Sequence, residues 1–223
     1  MYNYYMKKLI NFLCILILPV FAAKAFAGDL EDLTKNLYAY DINIQISAVE
    51  ELAKRGDEKA VEALLKFVFV KTEDWRVKVR AIRLLGNIPD TDVSDKLVTI
   101  FNDPFLNDEC PAMKWNTAVA LGHRYNKGTR AVNALIDALD YNNLLIREAA
   151  IQSLGKIGDP LSVPYLIAAL NDDRFAVKYN AVKALENIGS KEAVPFLQKI
   201  ADTEKDPLLR EETQKAIINI GLN

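Results

Sequence analysis

The sequence predicts an all-α protein, a right-handed α-solenoid of tandem two-helix repeats, and three observations predict it. A small residue followed four positions later by a large aliphatic one recurs six times at nearly constant spacing. A glycine stands in four of these units where the first helix has to stop. A second apolar helical pattern follows, opened by proline in two of the units. The 223-residue chain is 51% hydrophobic and 26% charged, which suits a folded protein and excludes a disordered one.

The repeat comes first, because self-similarity decides the architecture. The small residues are Ala48, Ala81, Thr117, Ala150, Ala181 and Thr213, spaced 31 to 36 residues apart. Leu52, Leu85, Leu121, Leu154, Leu185 and Ile217 follow four positions later, on the same helix face. A small side chain lets two helix backbones approach, and the aliphatic one fills the groove beside it. Gly56, Gly158, Gly189 and Gly221 then fall where the first helix ends, since glycine accepts the left-handed conformation of helix termini. The second helices carry Val61 and Leu64, Val163 and Leu166, Val194 and Leu197 inward. Pro164 and Pro195 lie in their first turns, where a missing N–H costs nothing. The order is a capping helix near 30–40, five helix pairs, and a last helix near 207–220, within a repeat domain spanning 28–223.

Residues Arg147, Ala149, Ala150, Leu154, Gly155, Ile157, Gly158, Asp159, Val163, Pro164 and Leu166 make a pattern that resembles HEAT repeats, in the short form of phycobilin-lyase-type proteins. The resemblance extends over the chain after Gly28. The signatures of tetratricopeptide and ankyrin repeats are absent, and the period is shorter than the ~40–47 residues of long HEAT units.

One column is charged. Gln45, Lys78, Lys114, Arg147, Lys178 and Arg210 stand three residues before the small residue. Four residues earlier come Asp41, Asp74, Cys110, Asn143 and Asp206, with Asp173 one place off. Aspartate at a helix start caps orphan N–H groups, and a cation one turn on pairs with it. The HEAT resemblance implies that this column forms a ladder between neighbouring repeats.

The third unit departs from the pattern, with extra residues from Asp103 to Pro111 and a longer turn from Gly122. His123, Arg124 and Tyr125 in that turn are candidate partner contacts, because insertions map to loops and loops carry function. A single histidine without a positioned acid or nucleophile makes no catalytic set. Trp75 and Trp115 sit on amphipathic helices and are expected to pack. Second helices of stacked repeats usually line the concave face, where Lys66, Lys96, Thr99, Asp137, Tyr165, Phe196 and Lys199 are expected to point outward. Tyr165 and Phe196 hold equivalent positions in consecutive units, a pattern suited to docking a protein partner.

Several function classes drop out. There is no Gly-rich phosphate loop, no paired cysteine motif and no His-Glu-x-x-His. The iron-holding His-Glu pairs of deoxyhypusine hydroxylase, a HEAT-type enzyme, are missing, because the one histidine precedes Arg124. Cys14 lies in the N-terminal apolar stretch, so Cys110 has no partner for an internal disulfide.

The N-terminus reads as a signal peptide over 1–27. Lys7 and Lys8 precede an apolar run from Leu9 to Ala23, and Ala25-Phe26-Ala27 supplies small residues before Gly28. Cleavage there would leave 25 basic against 30 acidic residues, a net charge near −5 that speaks against nucleic acid as a partner. The expectation is therefore a periplasmic or secreted, monomeric, non-enzymatic scaffold that binds a protein. It has no cofactor and no stable membrane insertion after cleavage. The alternatives are a chromophore-lyase-like enzyme and a structural subunit of an envelope complex.

Overall fold

The computed structural model describes residues 29–70, 74–104, 106, 111–127 and 129–222. The signal-peptide expectation, Cys14 and Cys110 lie outside these. The described residues form twelve α-helices and no strand. They are α1 (Leu30–Asn36), α2 (Ile42–Arg55), α3 (Glu58–Val68), α4 (Trp75–Leu85), α5 (Thr91–Asn102) and α6 (Pro111–Leu121). After these come α7 (Arg130–Asp137), α8 (Leu144–Ile157), α9 (Val163–Ala169), α10 (Phe175–Ile188), α11 (Val194–Thr203) and α12 (Pro207–Leu222). Contacts divide the chain into two compact units, Met1–Ala63 and Leu64–Asn223, with the boundary inside α3.

In the first unit α1 packs on α2. Leu33, Leu37, Ala48, Val49 and Leu52 are buried there, and the Gln45 amide, itself 8% exposed, donates to the Ala39 carbonyl at 2.9 Å. Asp41 caps α2 by accepting from Asn43 N–H at 2.8 Å. Gly56 ends it at φ 62°, its N–H returning to the Leu52 carbonyl.

In the second unit the first helices of successive repeats form a row, α4 on α6, α6 on α8, α8 on α10 and α10 on α12. The repeat columns explain why. Ala81, Thr117, Ala150, Ala181 and Thr213 are all fully buried, as are Leu85, Leu121, Leu154 and Leu185. Burying each such leucine contributes about 1.5–3 kcal/mol. Ile217 on the last helix is only partly buried, and Ala216 and Ile220 fill the interior there instead.

A second small-residue column brings the row close. A Cβ placed on Gly86 would lie 2.6 Å from the Ala120 Cβ, one on Gly122 2.6 Å from the Ser153 Oγ, and one on Gly155 2.7 Å from the Ala184 Cα. Each glycine stands five positions after its repeat's small residue, and each partner three after the next one's. Consecutive first helices therefore meet nearly backbone to backbone at these points. The Ser153 hydroxyl adds a bond across the α8–α6 contact, donating to the Ala118 carbonyl at 2.8 Å.

Helix ends follow the sequence with two exceptions. Asp74, Asn143 and Asp206 cap their helices as expected, and Pro164 and Pro195 sit in the first turns of α9 and α11. Gly158 and Gly189 close α8 and α10 at φ 72° and 73°. Gly221, by contrast, is not a stop: it lies within α12. At the start of α10 the acceptor is Asp172, which takes the Arg174 N–H at 2.8 Å, rather than Asp173.

Candidate functional site

The charged column is a ladder between repeats. Lys114, only 5% exposed, donates to the Tyr141 hydroxyl and stacks over the Tyr141 and Phe101 rings at 4.1 and 4.6 Å. Arg147, 8% exposed, donates to the Tyr141 carbonyl at 2.7 Å and faces the Asp172 carboxylate at 3.8 Å. Lys178 pairs with Glu204, whose carboxyl is held below its usual range first by that bond and then by backbone N–H groups. In each case a cation of one first helix holds the segment leading into the next repeat. Arg210, on the last helix, is exposed.

The structure places the predicted partner-contact residues in two groups. On the second helices, Tyr165 (α9) and Phe196 (α11) are 47% and 49% exposed, while their neighbours Leu166 and Leu197 are fully buried. Each aromatic follows its repeat's small residue by fifteen positions, so two consecutive repeats present an aromatic at one register. Lys199 lies one turn beyond Phe196 and is exposed. Lys96 on α5 and Asp137 at the end of α7 are exposed as well.

The second group is the turn after α6. Arg124–Asn126 form a single 3-10 turn. His123 and Tyr125 stack with ring centroids 5.3 Å apart, and the Tyr125 hydroxyl donates to the Gly86 carbonyl at 2.5 Å. That carbonyl lies just past the C-terminus of α4, where helix carbonyls lack internal partners. Asn126, fully buried, donates to the Leu121 carbonyl at 2.7 Å and serves α6 in the same way. The long turn is thus a built structure, with Arg124 exposed at its surface. Burial, and then the nearby Lys156 charge, lower the His123 pKa. Burial, and then Asp90, raise that of Tyr125.

Beside His123 runs an open groove of about 240 Å³ between the first helices α4 and α6. α4 and the turn after it contribute Arg80, Arg83, Leu84 and Asn87. Val119 and Ala120 come from α6, and His123 closes one end. Sequence reasoning missed Arg80, Arg83 and Asn87. The signal was there: Arg83 and Asn87 stand two and six places after Ala81, on the outward side of a first helix.

Trp75 and Trp115 correct another expectation. They are 50% and 39% exposed, because each occupies an outward position of its helix rather than the buried stripe. Among the described residues no cluster of three or more His, Cys, Asp and Glu could hold a metal ion. No described helix is long and apolar enough to cross a membrane.

Three overlapping segments, residues 30–105, 104–175 and 161–218, match the family model of HEAT repeats. The chain belongs to the HEAT-repeat family. No curated protein sequence matches it. Among solved structures, a designed armadillo repeat protein in complex with the peptide (KR)4 is 16% identical, with TM-score 0.57, covering 86% of this chain and 100% of that one. A computationally designed armadillo repeat protein for modular peptide recognition is 17% identical, with TM-score 0.52, covering 86% and 99%. The complex of CpcE and CpcF of phycocyanin lyase from Nostoc is 20% identical, with TM-score 0.53, covering 84% and 75%. At these identities the HEAT-repeat chain shares a fold with all three, and the likeness reaches no further.

Proposed function

We propose that this HEAT-repeat chain is an exported, non-enzymatic scaffold whose second helices dock a protein partner. The observation that carries the reading is the pair Tyr165 and Phe196, half exposed at one register in consecutive repeats above fully buried leucines. Aromatic side chains offer large contact area at small entropic cost, and a few such anchors supply most of an interface's energy. Two anchors one repeat apart suit an extended chain or a helix laid across both. The fold supports this in general terms, since repeat proteins of the same architecture include ones designed for peptide recognition.

Export rests on the charged start, the apolar run and the Ala-x-Ala site before Gly28. The scaffold is proposed to act in the periplasm or outside the cell, as a monomer. The test is crosslinking in the native envelope, with the captured partner identified by mass spectrometry and compared between wild type and Tyr165→Ala/Phe196→Ala. Loss of one specific partner with an unchanged helical spectrum is expected. Retention of the same partner by a normally folded variant would refute the docking face.

A further inference from the structure

Successive first helices of the second unit meet along four seams, and two positions recur at each, with polar side chains in all but the α6–α8 seam, where they are Val119 and Ala149. One is two places after the small residue of a repeat; the other is one place before the small residue of the next. In the α8–α10 seam they are Gln152 and Asn180, bonded at 3.0 Å. In the α10–α12 seam they are Lys183 and Glu212, paired at 3.5 Å, with Glu186 also on Lys183 at 2.6 Å. In the α4–α6 seam they are Arg83 and Asn116. Here no pair forms, because Asn116 is 5% exposed and its amide donates to the Ala112 carbonyl of its own helix at 2.8 Å. Arg83 is exposed, and no hydrogen bond or ion pair joins it to another described residue. The groove lies in this seam.

We propose that the α4–α6 groove receives an acidic peptide segment of a protein partner, whose carboxylate pairs with Arg83 as Glu212 pairs with Lys183. The proposal rests on the scaffold reading but not on which second helices carry the aromatic face. The α4–α6 seam presents a cation, as the α10–α12 seam does in Lys183, but has Asn116 where that seam has the Glu212 carboxylate. A guanidinium takes a carboxylate through two parallel bonds, which a lysine cannot do. Arg80 lines the same groove, and Lys156 of α8 lies close enough to bear on His123. None of the residues lining the groove is acidic. Leu84, Val119 and Ala120 supply an apolar floor, so a peptide with a methylene-bearing acid such as glutamate fits better than a bare anion.

His123 is the chain's one histidine and lines this groove, so its ring C–H signals in a proton NMR spectrum report on the site without ambiguity. The probe is an acetylated, amidated hexaglutamate peptide, titrated at low salt and fixed pH. The peptide is expected to shift the His123 signals saturably. Glutarate at equal carboxylate concentration should do so at least tenfold more weakly. Arg83→Gln should weaken the peptide at least tenfold with unchanged melting, while Arg210→Gln, the same charge change on α12, should leave it as in wild type. Tyr165→Ala/Phe196→Ala should keep the response, which separates failure of the aromatic face from failure of the groove. No shift with hexaglutamate would overturn the proposal, as would equal binding by Arg83→Gln. Glutarate as effective as the peptide, or loss of the response in the double aromatic variant, would overturn it too.

Discussion

Gly155→Ala sets two effects of known sign against each other. Gly155 lies inside α8, and glycine in a helix interior is about 1 kcal/mol worse than alanine, so on propensity the change should stabilise. The geometry points the other way. The new Cβ would stand 2.7 Å from the Ala184 Cα and 2.8 Å from its Cβ, both well inside van der Waals contact. Neither atom can turn away as a long side chain could, so α10 has to shift against α8. Overpacking of this kind costs about 1–3 kcal/mol, and typical values exceed the propensity gain. A net loss of about 1 kcal/mol is expected in urea denaturation followed by circular dichroism. Two controls sharpen the reading. Gly158→Ala meets no atom within 4 Å but sits at φ 72°, so its loss of about 1–2 kcal/mol would come from the backbone alone. Lys156→Ala, at an exposed position of the last turn of α8, should stay within about 0.5 kcal/mol of wild type. If Gly155→Ala proves as stable as wild type or more so, the close approach of consecutive first helices is wrong.

The ladder makes an ordered prediction. Asp172→Ala strands the buried Arg147 guanidinium and should cost about 1–3 kcal/mol, whereas Arg147→Met, which removes the buried charge and keeps its bulk, should cost less. Denaturant midpoints giving the reverse order would contradict it. A pH effect follows from His123, whose pKa burial and Lys156 hold below 6.5. Between that lowered value and 6.5 the unfolded chain binds more protons than the folded one, so stability falls as pH drops through the window and returns above it. His123→Gln should remove this part of the pH dependence, and identical profiles for variant and wild type would speak against it. N-terminal sequencing of the exported protein should begin at Gly28, whereas a start at Met1 or Met6 on membrane-bound protein would refute cleavage.

The helix pairs were readable because the rule that makes them is local. Burial of Ala150 and Leu154 on one face, a left-handed Gly158 and a proline in the next first turn are all written within twenty residues. Where the rule relies on distant partners, reading from sequence failed. Gly86 and Gly122 carry no signal of their own, since their need for a missing side chain is set by Ala120 and Ser153 across the seam. Of the candidate surface, the exposed register of Tyr165 and Phe196 followed from helical phase. The roles of Tyr125 and Asn126 did not, because each holds a carbonyl that only the folded turn brings within reach. The outward position of Arg83 was legible from helical phase, but the groove beside it was not, because Val119, Ala120 and His123 join it only across the folded seam.

The measurement that bears most directly on the scaffold reading is capture by the double aromatic variant in the native envelope. Wild type and Tyr165→Ala/Phe196→Ala would be crosslinked in parallel, with melting curves recorded on both and the captured species confirmed by direct binding to purified protein. If Tyr165 and Phe196 anchor the partner, truncating each costs roughly 2 kcal/mol or more of binding, and the double variant loses the partner while melting as wild type does. The same partner captured in equal yield by a variant that melts normally would contradict a docking face on the second helices.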